Sequence, residues 1–181
     1  MELSGSTVEG VVAYDDGDYS KALDIFRPLA ENGEAIAQFY LARMYAKSMG
    51  VGKDYVEAIK WYTLAADQGY AEAQNGLGFM FHTGNGVHQN DETAFKWYTL
   101  AADQGLSKAQ YNLGAMYARD GSVHQNDETA IQWFTLAADQ GLVEAQCLLG
   151  VSYERGDSVQ QNAETAIKWY TLAADQGHVE A

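Results

Sequence analysis

Nearly the same nine residues are written four times along this chain. WYTLAADQG fills residues 61–69, 97–105 and 169–177, and WFTLAADQG fills 133–141, so consecutive copies start 36 residues apart. No catalytic motif needs four copies on a fixed pitch. A period between about 20 and 50 residues marks a stack of like units, each able to bury its apolar face only against its neighbours. Other positions keep the same pitch: Ala22, Ala58, Ala94, Ala130 and Ala166; Gly33, Gly69, Gly105, Gly141 and Gly177; Ala37, Ala73, Ala109, Ala145 and Ala181.

Start and stop chemistry divides each unit into two helices. Asp18, Asp54, Asn90, Asn126 and Asn162 are in register, and a side-chain oxygen at such a position accepts from the free amides of a first helical turn. The in-register glycine that follows suits the left-handed conformation that ends a helix. Helix A is therefore predicted over about 55–68, 91–104, 127–140 and 163–176, with a first copy near 19–32. Helix B is predicted over about 71–83, with copies near 35–47, 107–119 and 143–155. On helix A, Ala58, Tyr62 and Ala65 share one face, flanked by Ile59, Trp61 and Ala66, while Lys60, Thr63, Leu64 and Asp67 share the other. On helix B, Ala73, Leu77 and Phe81 recur at i, i+4 and i+8, and Gly78 (Ala42, Gly114 and Gly150 in the other copies) offers a small contact. Asp67 sits where the helix dipole disfavours an anion; the expectation is that its carboxylate lies near the first amides of helix B.

The resulting organisation is one repeat domain over residues 1–181. A capping helix in 1–17 resembles a shortened helix B, with Tyr14 and Gly17 spaced like Phe81 and Gly84. Repeats follow at 18–53, 54–89, 90–125 and 126–161, and 162–181 reads as a partial repeat cut at the residues HVEA.

Composition narrows the function. Lys and Arg number 11 against 25 Asp and Glu, a net charge of −14, which disfavours nucleic acid and anionic membrane surfaces. Its bland reading is solubility; its sharper one is preference for a basic partner. No apolar run approaches the ~20 residues of a membrane span. The opening MELSGSTVEG lacks the basic and apolar segments of a signal peptide, so the chain is expected to be cytoplasmic, or periplasmic or secreted if a signal has been removed. One cysteine, Cys147, excludes an intrachain disulfide framework.

Candidate chemistry is thin. His88 and His124 recur within VHQNDET, but equivalent positions in stacked helix pairs lie on the order of 10 Å apart, too far to share an ion whose ligands sit at about 2 Å. His82 and His178 complete the histidines. YDDGDYS at 14–20 lacks calcium-loop spacing and reads as a turn before the Asp18 cap. Cys147 aligns with Phe39, Asn75 and Tyr111 and has no evident base beside it; a partly exposed structural thiol is expected. No phosphate loop, serine elbow or zinc-binding helix is present, so no catalytic residue, cofactor or metal is assigned. Trp61, Trp97, Trp133 and Trp169 read as packing residues, with a ligand cage as the competing reading.

The informative surface is the polar face of helix A. Lys60, Thr63, Leu64 and Asp67 recur as Lys96, Thr99, Leu100 and Asp103, as Gln132, Thr135, Leu136 and Asp139, and as Lys168, Thr171, Leu172 and Asp175. A solvated face needs no leucine at its centre. Either the leucines touch the neighbouring helix A, or they form a ladder for an extended peptide.

The set Ala58, Trp61-Tyr62, Ala65-Ala66, Gly69, Ala73-Gln74, Leu77-Gly78, Phe81, Gly84, Gly86-Val87 and Asn90, continued through the following units, resembles the Sel1-like repeats, relatives of the tetratricopeptide repeats. The period of 36 matches that family rather than the 34 of tetratricopeptide units. Asp120, Gly121 and Ser122, and later Ser158, depart from the loop glycine pattern. The cysteine pair that some family members carry in each repeat is missing. The resemblance implies an all-α, right-handed α/α superhelix whose A helices line a concave groove, and a bacterial adaptor that binds a protein or peptide there. The expected partner is a segment with spaced apolar residues and some Lys or Arg; nucleic acid and membrane insertion are not expected. The alternative is a structural spacer or the repeat region of a larger secreted or effector protein, with a hydrolase the least expected outcome.

Overall fold

The structure is a computed structural model, described here for residues 4–119 and 124–177. The described residues form ten helices: α1 (Gly5–Asp15), α2 (Tyr19–Glu31), α3 (Ala35–Lys47), α4 (Tyr55–Asp67), α5 (Ala71–Thr83), α6 (Asp91–Asp103), α7 (Ser107–Ala118), α8 (Asp127–Asp139), α9 (Val143–Arg155) and α10 (Ala163–Ala174). Among the described residues there is no strand. The even-numbered helices are the A helices and the odd-numbered ones the B helices. The chain forms an all-α solenoid and divides into two compact units, Met1–Trp97 and Tyr98–Ala181. His178, Ala181 and the loop residues Asp120, Gly121 and Ser122 lie outside the described residues.

Local chemistry accounts for nearly every boundary. The Asp54 carboxylate accepts from the amides of Val56 and Glu57 at 2.9 and 3.0 Å, and Asn90, Asn126 and Asn162 accept from Thr93, Thr129 and Thr165, each at 2.9 Å. Such caps contribute about 1 kcal/mol apiece. The AADQG segment ends helix A in a tight turn: Gly69, at φ +85°, donates to Ala66 at 2.9 Å, and Tyr70 donates to Ala65 at 3.1 Å. This paired closure requires the left-handed residue that glycine supplies without strain. Helix B then begins without a side-chain cap at Glu34, Tyr70, Leu106 or Leu142. Asp67 is exposed, and among the described residues its carboxylate makes no hydrogen bond to the first amides of helix B; the turn's own backbone bonds hold the residues between the helices. The next helix A is tied back in turn: Asn90 donates to the Phe81 carbonyl, and Asn162 to Tyr153, both at 2.9 Å. Ser158 takes φ +61°, where Gly86 takes +74°, so the fourth loop keeps the left-handed residue despite its serine.

In the N-terminal unit two core clusters form around Phe26, Leu41 and Met44 and around Tyr62, Leu77 and Met80. In the C-terminal unit a cluster forms around Phe134, Leu149 and Trp169. The in-register alanines among the described residues are buried, which brings the helices close together. One reading needs correction. On α4, α6 and α8 the deeply buried aromatics are Tyr62, Tyr98 and Phe134, whereas Trp61, Trp97 and Trp133 are only half-buried; on α10 the order is reversed, with Trp169 in the core as the sequence suggested and Tyr170 half-buried. The tryptophan stands 100° round the helix from its neighbour, and in the N-terminal unit Trp61 lies against both core clusters. It covers the seam between repeats instead of filling a core. On helix B, likewise, Met80 is buried while Phe81 is only partly so.

Candidate partner-binding surface

Along each helix A the residues at i, i+4 and i+7 face solvent. In the N-terminal unit Lys60, Leu64 and Asp67 on α4 are exposed, as is Lys96 on α6. Lys60 pairs with Glu57 at 3.3 Å, and its Nζ lies 5.2 Å from the Trp61 ring centre. Thr63 is half-buried, and its hydroxyl donates to the Ile59 carbonyl at 2.8 Å. In the C-terminal unit Leu100, Leu136 and Leu172 stand on successive A helices, accompanied by exposed Asp103, Gln132, Asp139, Lys168 and Asp175. Thr135 and Thr171 repeat the backbone bond of Thr63 at 2.8 Å, and Thr99 is half-buried at the same register. The four leucines are between 39 and 49 % exposed. The first helix A has Pro28 at this position, also exposed.

A set of glutamines was missed from sequence. Gln38, Gln74, Gln110 and Gln146 are buried on helix B, which a face of apolar residues does not advertise. Each donates to the carbonyl of an alanine on the preceding helix A: Gln38 to Ala30 at 3.1 Å and Gln146 to Ala138 at 3.0 Å, for example. The Gln38 carbonyl oxygen accepts from Gln68 of the following helix A at 2.8 Å. In the C-terminal unit Gln140 donates to Gln110 at 2.7 Å and Gln176 to Gln146 at 2.9 Å. These exposed glutamines also reach the carbonyls of Leu64, Leu136 and Leu172 at 3.2–3.4 Å. The relay therefore ties the buried joint between repeats to the turn that presents each leucine. The available signal was the recurrence of glutamine at two registers.

Among the described residues nothing on the A-helix faces forms an acid–base or nucleophilic set. Among the described residues no three of His, Cys, Asp and Glu are grouped so as to hold a metal ion. His82 instead bonds Asp91 at 2.9 Å, joining the end of α5 to the start of α6. His88 is exposed, while His124 and Cys147 are half-buried. A cavity of about 600 Å³ in the N-terminal unit is lined by Ser4, Thr7, Glu34, Gln68 and Tyr70, among others. Its carboxylate is already engaged, since the Thr7 hydroxyl donates to Glu34 at 2.6 Å. Among the described residues no helix is long and apolar enough to cross a membrane.

Paired helices on a constant pitch, joined by the same polar relay and exposing the same face, define a helical-repeat scaffold. The Sel1 repeat model matches residues 35–70, 71–106, 107–142 and 143–178, a phase that begins on helix B. The chain belongs to the Sel1 repeat family. Its fold is similar to that of a Sel1 repeat protein from Oxalobacter formigenes, at 32 % identity and a TM-score of 0.85 over 96 % of this chain and 71 % of that one. It is also similar to a protective antigen of uropathogenic Escherichia coli displaying an SLR fold, at 39 % identity and a TM-score of 0.81 over 87 % of this chain. The chain spans only 34 % of that antigen's length. An immunity protein from Pseudomonas aeruginosa shares the fold alone, at 17 % identity and a TM-score of 0.53 over 97 % of this chain and 83 % of that one. No curated protein is significantly similar to the chain. Sel1 repeat proteins are generally non-catalytic scaffolds for protein interaction.

Proposed function

We propose that the chain is an adaptor that holds an extended protein segment against its A-helix faces. The observation that supports this reading is the exposure of Leu64, Leu100, Leu136 and Leu172 at one register, where a face meant only for water has no use for an apolar side chain. Within the C-terminal unit the three leucines supply anchors on a regular pitch, and Asp103, Asp139 and Asp175 supply an acidic rim. Within the N-terminal unit Lys60, Leu64 and Asp67 repeat the pattern, with Lys96 beginning the next copy. The occupant that suits this surface carries spaced apolar residues and a few Lys or Arg. The net charge of −14 would speed encounter with such a segment and make association sensitive to salt.

The test is calorimetry with the partner that the immobilised chain retains from cells of its source. Burying an exposed leucine side chain is worth about 1–2 kcal/mol, so Leu100→Ser combined with Leu136→Ser should weaken binding by roughly 30- to 1,000-fold. The helical circular dichroism should not change. Raising the ionic strength should slow association. An affinity that ignores both the double substitution and the salt sinks this choice of surface.

A further inference from the structure

One cluster in the N-terminal unit breaks the repeat. Phe39, Tyr40 and Arg43 on α3 correspond to Asn75, Gly76 and Phe79 on α5, to Tyr111, Asn112 and Ala115 on α7, and to Cys147, Leu148 and Val151 on α9. Residues that stacking demands recur, as Ala37 does at Ala73, Ala109 and Ala145. Phe39 and Tyr40 also pack in the core clusters, but the set as a whole does not recur, so the repeat pattern does not require an arginine at its centre.

The Arg43 guanidinium carbon lies 5.1 Å from the ring centre of Tyr14, 5.4 Å from Phe39 and 5.9 Å from Tyr40. Tyr40 stacks flat on Phe26, with centres 4.9 Å apart and planes 8° apart, and meets Tyr14 edge-on. The platform is thus braced from below, and Arg43, whose guanidinium rests on it, is half-buried. Among the described residues Arg43 nevertheless makes no hydrogen bond and no ion pair, and the hydroxyls of Tyr40 and Tyr70 make no hydrogen bond either. Five N–H donors in a fixed fork are held on aromatic rings, partly stripped of water, with no protein acceptor.

Burial first, then the charge of Asp15, raises the Tyr40 pKa, with Glu72 adding to it, and among the described residues neither carboxylate pairs with Arg43. Together with the net charge of −14 they oppose a dianion or a polyanion. A single carboxylate meets the guanidinium fork in two parallel hydrogen bonds and carries the least charge into this acidic surround. The same register on the flanking B helices holds Val12 of α1 and Phe79 of α5, 53 and 51 % exposed. Apolar positions therefore flank the cation on both sides. A chain terminus engages only one of them, whereas an internal acidic residue with apolar neighbours before and after it spans both.

We propose that Arg43, on its platform of Tyr14, Phe39 and Tyr40, is a docking point for an internal Asp or Glu of a protein partner, flanked on each side by an apolar residue. This B-helix surface is separate from the A-helix leucines and stands or falls without them.

Titration of the full chain by NMR tests it, following the Arg43 side-chain Nε–H resonance. The probes are the capped peptide acetyl-Leu-Gly-Glu-Gly-Phe-amide, its Gln counterpart, the free acid acetyl-Gly-Phe, and inorganic phosphate. The Glu peptide should shift the resonance saturably. The Gln peptide should bind roughly tenfold more weakly, the loss expected for one charge-assisted contact, and the free acid and phosphate should also be weaker. Arg43→Gln should abolish the difference between the Glu and Gln peptides, and Arg43→Lys should retain part of it. Absence of a saturable shift, equal affinity for the Glu and Gln peptides, or binding of the free acid or phosphate as tight as that of the Glu peptide would each overturn the proposal. Should Arg43→Gln unfold the N-terminal unit, the comparison of the four probes on the unaltered chain still decides.

Discussion

Replacing Gln38 by leucine removes the polar relay between two neighbouring repeats while nearly preserving side-chain volume. Two hydrogen bonds disappear: the one from Gln38 to the Ala30 carbonyl at 3.1 Å and the one from Gln68 to Gln38 at 2.8 Å. Each is worth about 1 kcal/mol net. Neither partner is stranded, because Ala30 still accepts from the Gly33 amide at 3.0 Å and exposed Gln68 still donates to the carbonyls of Gly33 and Leu64. The expected cost is therefore about 2 kcal/mol, without the further penalty of an orphaned buried group. Gln68→Ala should cost about 1–2 kcal/mol on the same scale. Because the two substitutions delete one bond in common, the double variant should fall short of their sum by about 1 kcal/mol. Urea unfolding of the whole chain, followed by tryptophan fluorescence and helical circular dichroism and fitted with nearest-neighbour coupling, measures all three. A coupling indistinguishable from zero would show that the relay adds nothing to the joint. A stabilised Gln38→Leu would show that burying the amides costs more than their bonds return.

Phe134→Ala should cost about 3–5 kcal/mol, since the ring is buried, and Trp133→Ala clearly less despite removing a larger side chain; a reversed order in urea unfolding would contradict the assignment of core and seam. Ser158→Gly should stabilise by about 0.5–1 kcal/mol, because it relieves a left-handed non-glycine residue at φ +61°, and an unchanged midpoint would refute it. Tyr62 and Tyr70 have pKa values raised above 10.0 chiefly by burial, Tyr70 up to about 12. Their neutral forms are favoured in the folded state, so stability should be intact below pH 10 and fall as the pH rises from about 10 through 12. Urea midpoints across that range test this, and Tyr70→Phe should flatten the fall.

The helix boundaries are legible in the sequence because their causes are local. Asn90, Asn126 and Asn162 cap, and the AADQG turn closes, through atoms a few residues apart. The choice between Trp61 and Tyr62 for the core is not local. Both lie near the apolar face, and the neighbouring repeat decides which ring is enclosed. Asp67 misleads for a related reason: the dipole argument treats helix A and helix B as separate, whereas the turn satisfies itself through its backbone. The leucine register is legible because its period is that of the fold. The Arg43 platform is not, since its rings come from both α1 and α3 and its residues have no copies to align.

The glutamine relay has a consequence for how such chains change length. Every joint described uses the same two residue types at the same sequence separation of 30: Gln38 with Gln68, Gln110 with Gln140, and Gln146 with Gln176. A segment of 36 residues excised or duplicated at equivalent points presents each neighbour with the donor or acceptor it already meets. Near-identical copies are also the substrate on which misaligned recombination acts. Length can thus vary in whole repeats without any joint being redesigned, and the number of leucines offered to a partner varies with it. A change of any other size would place Gln68 opposite the wrong residue and leave Gln38 buried without its donor.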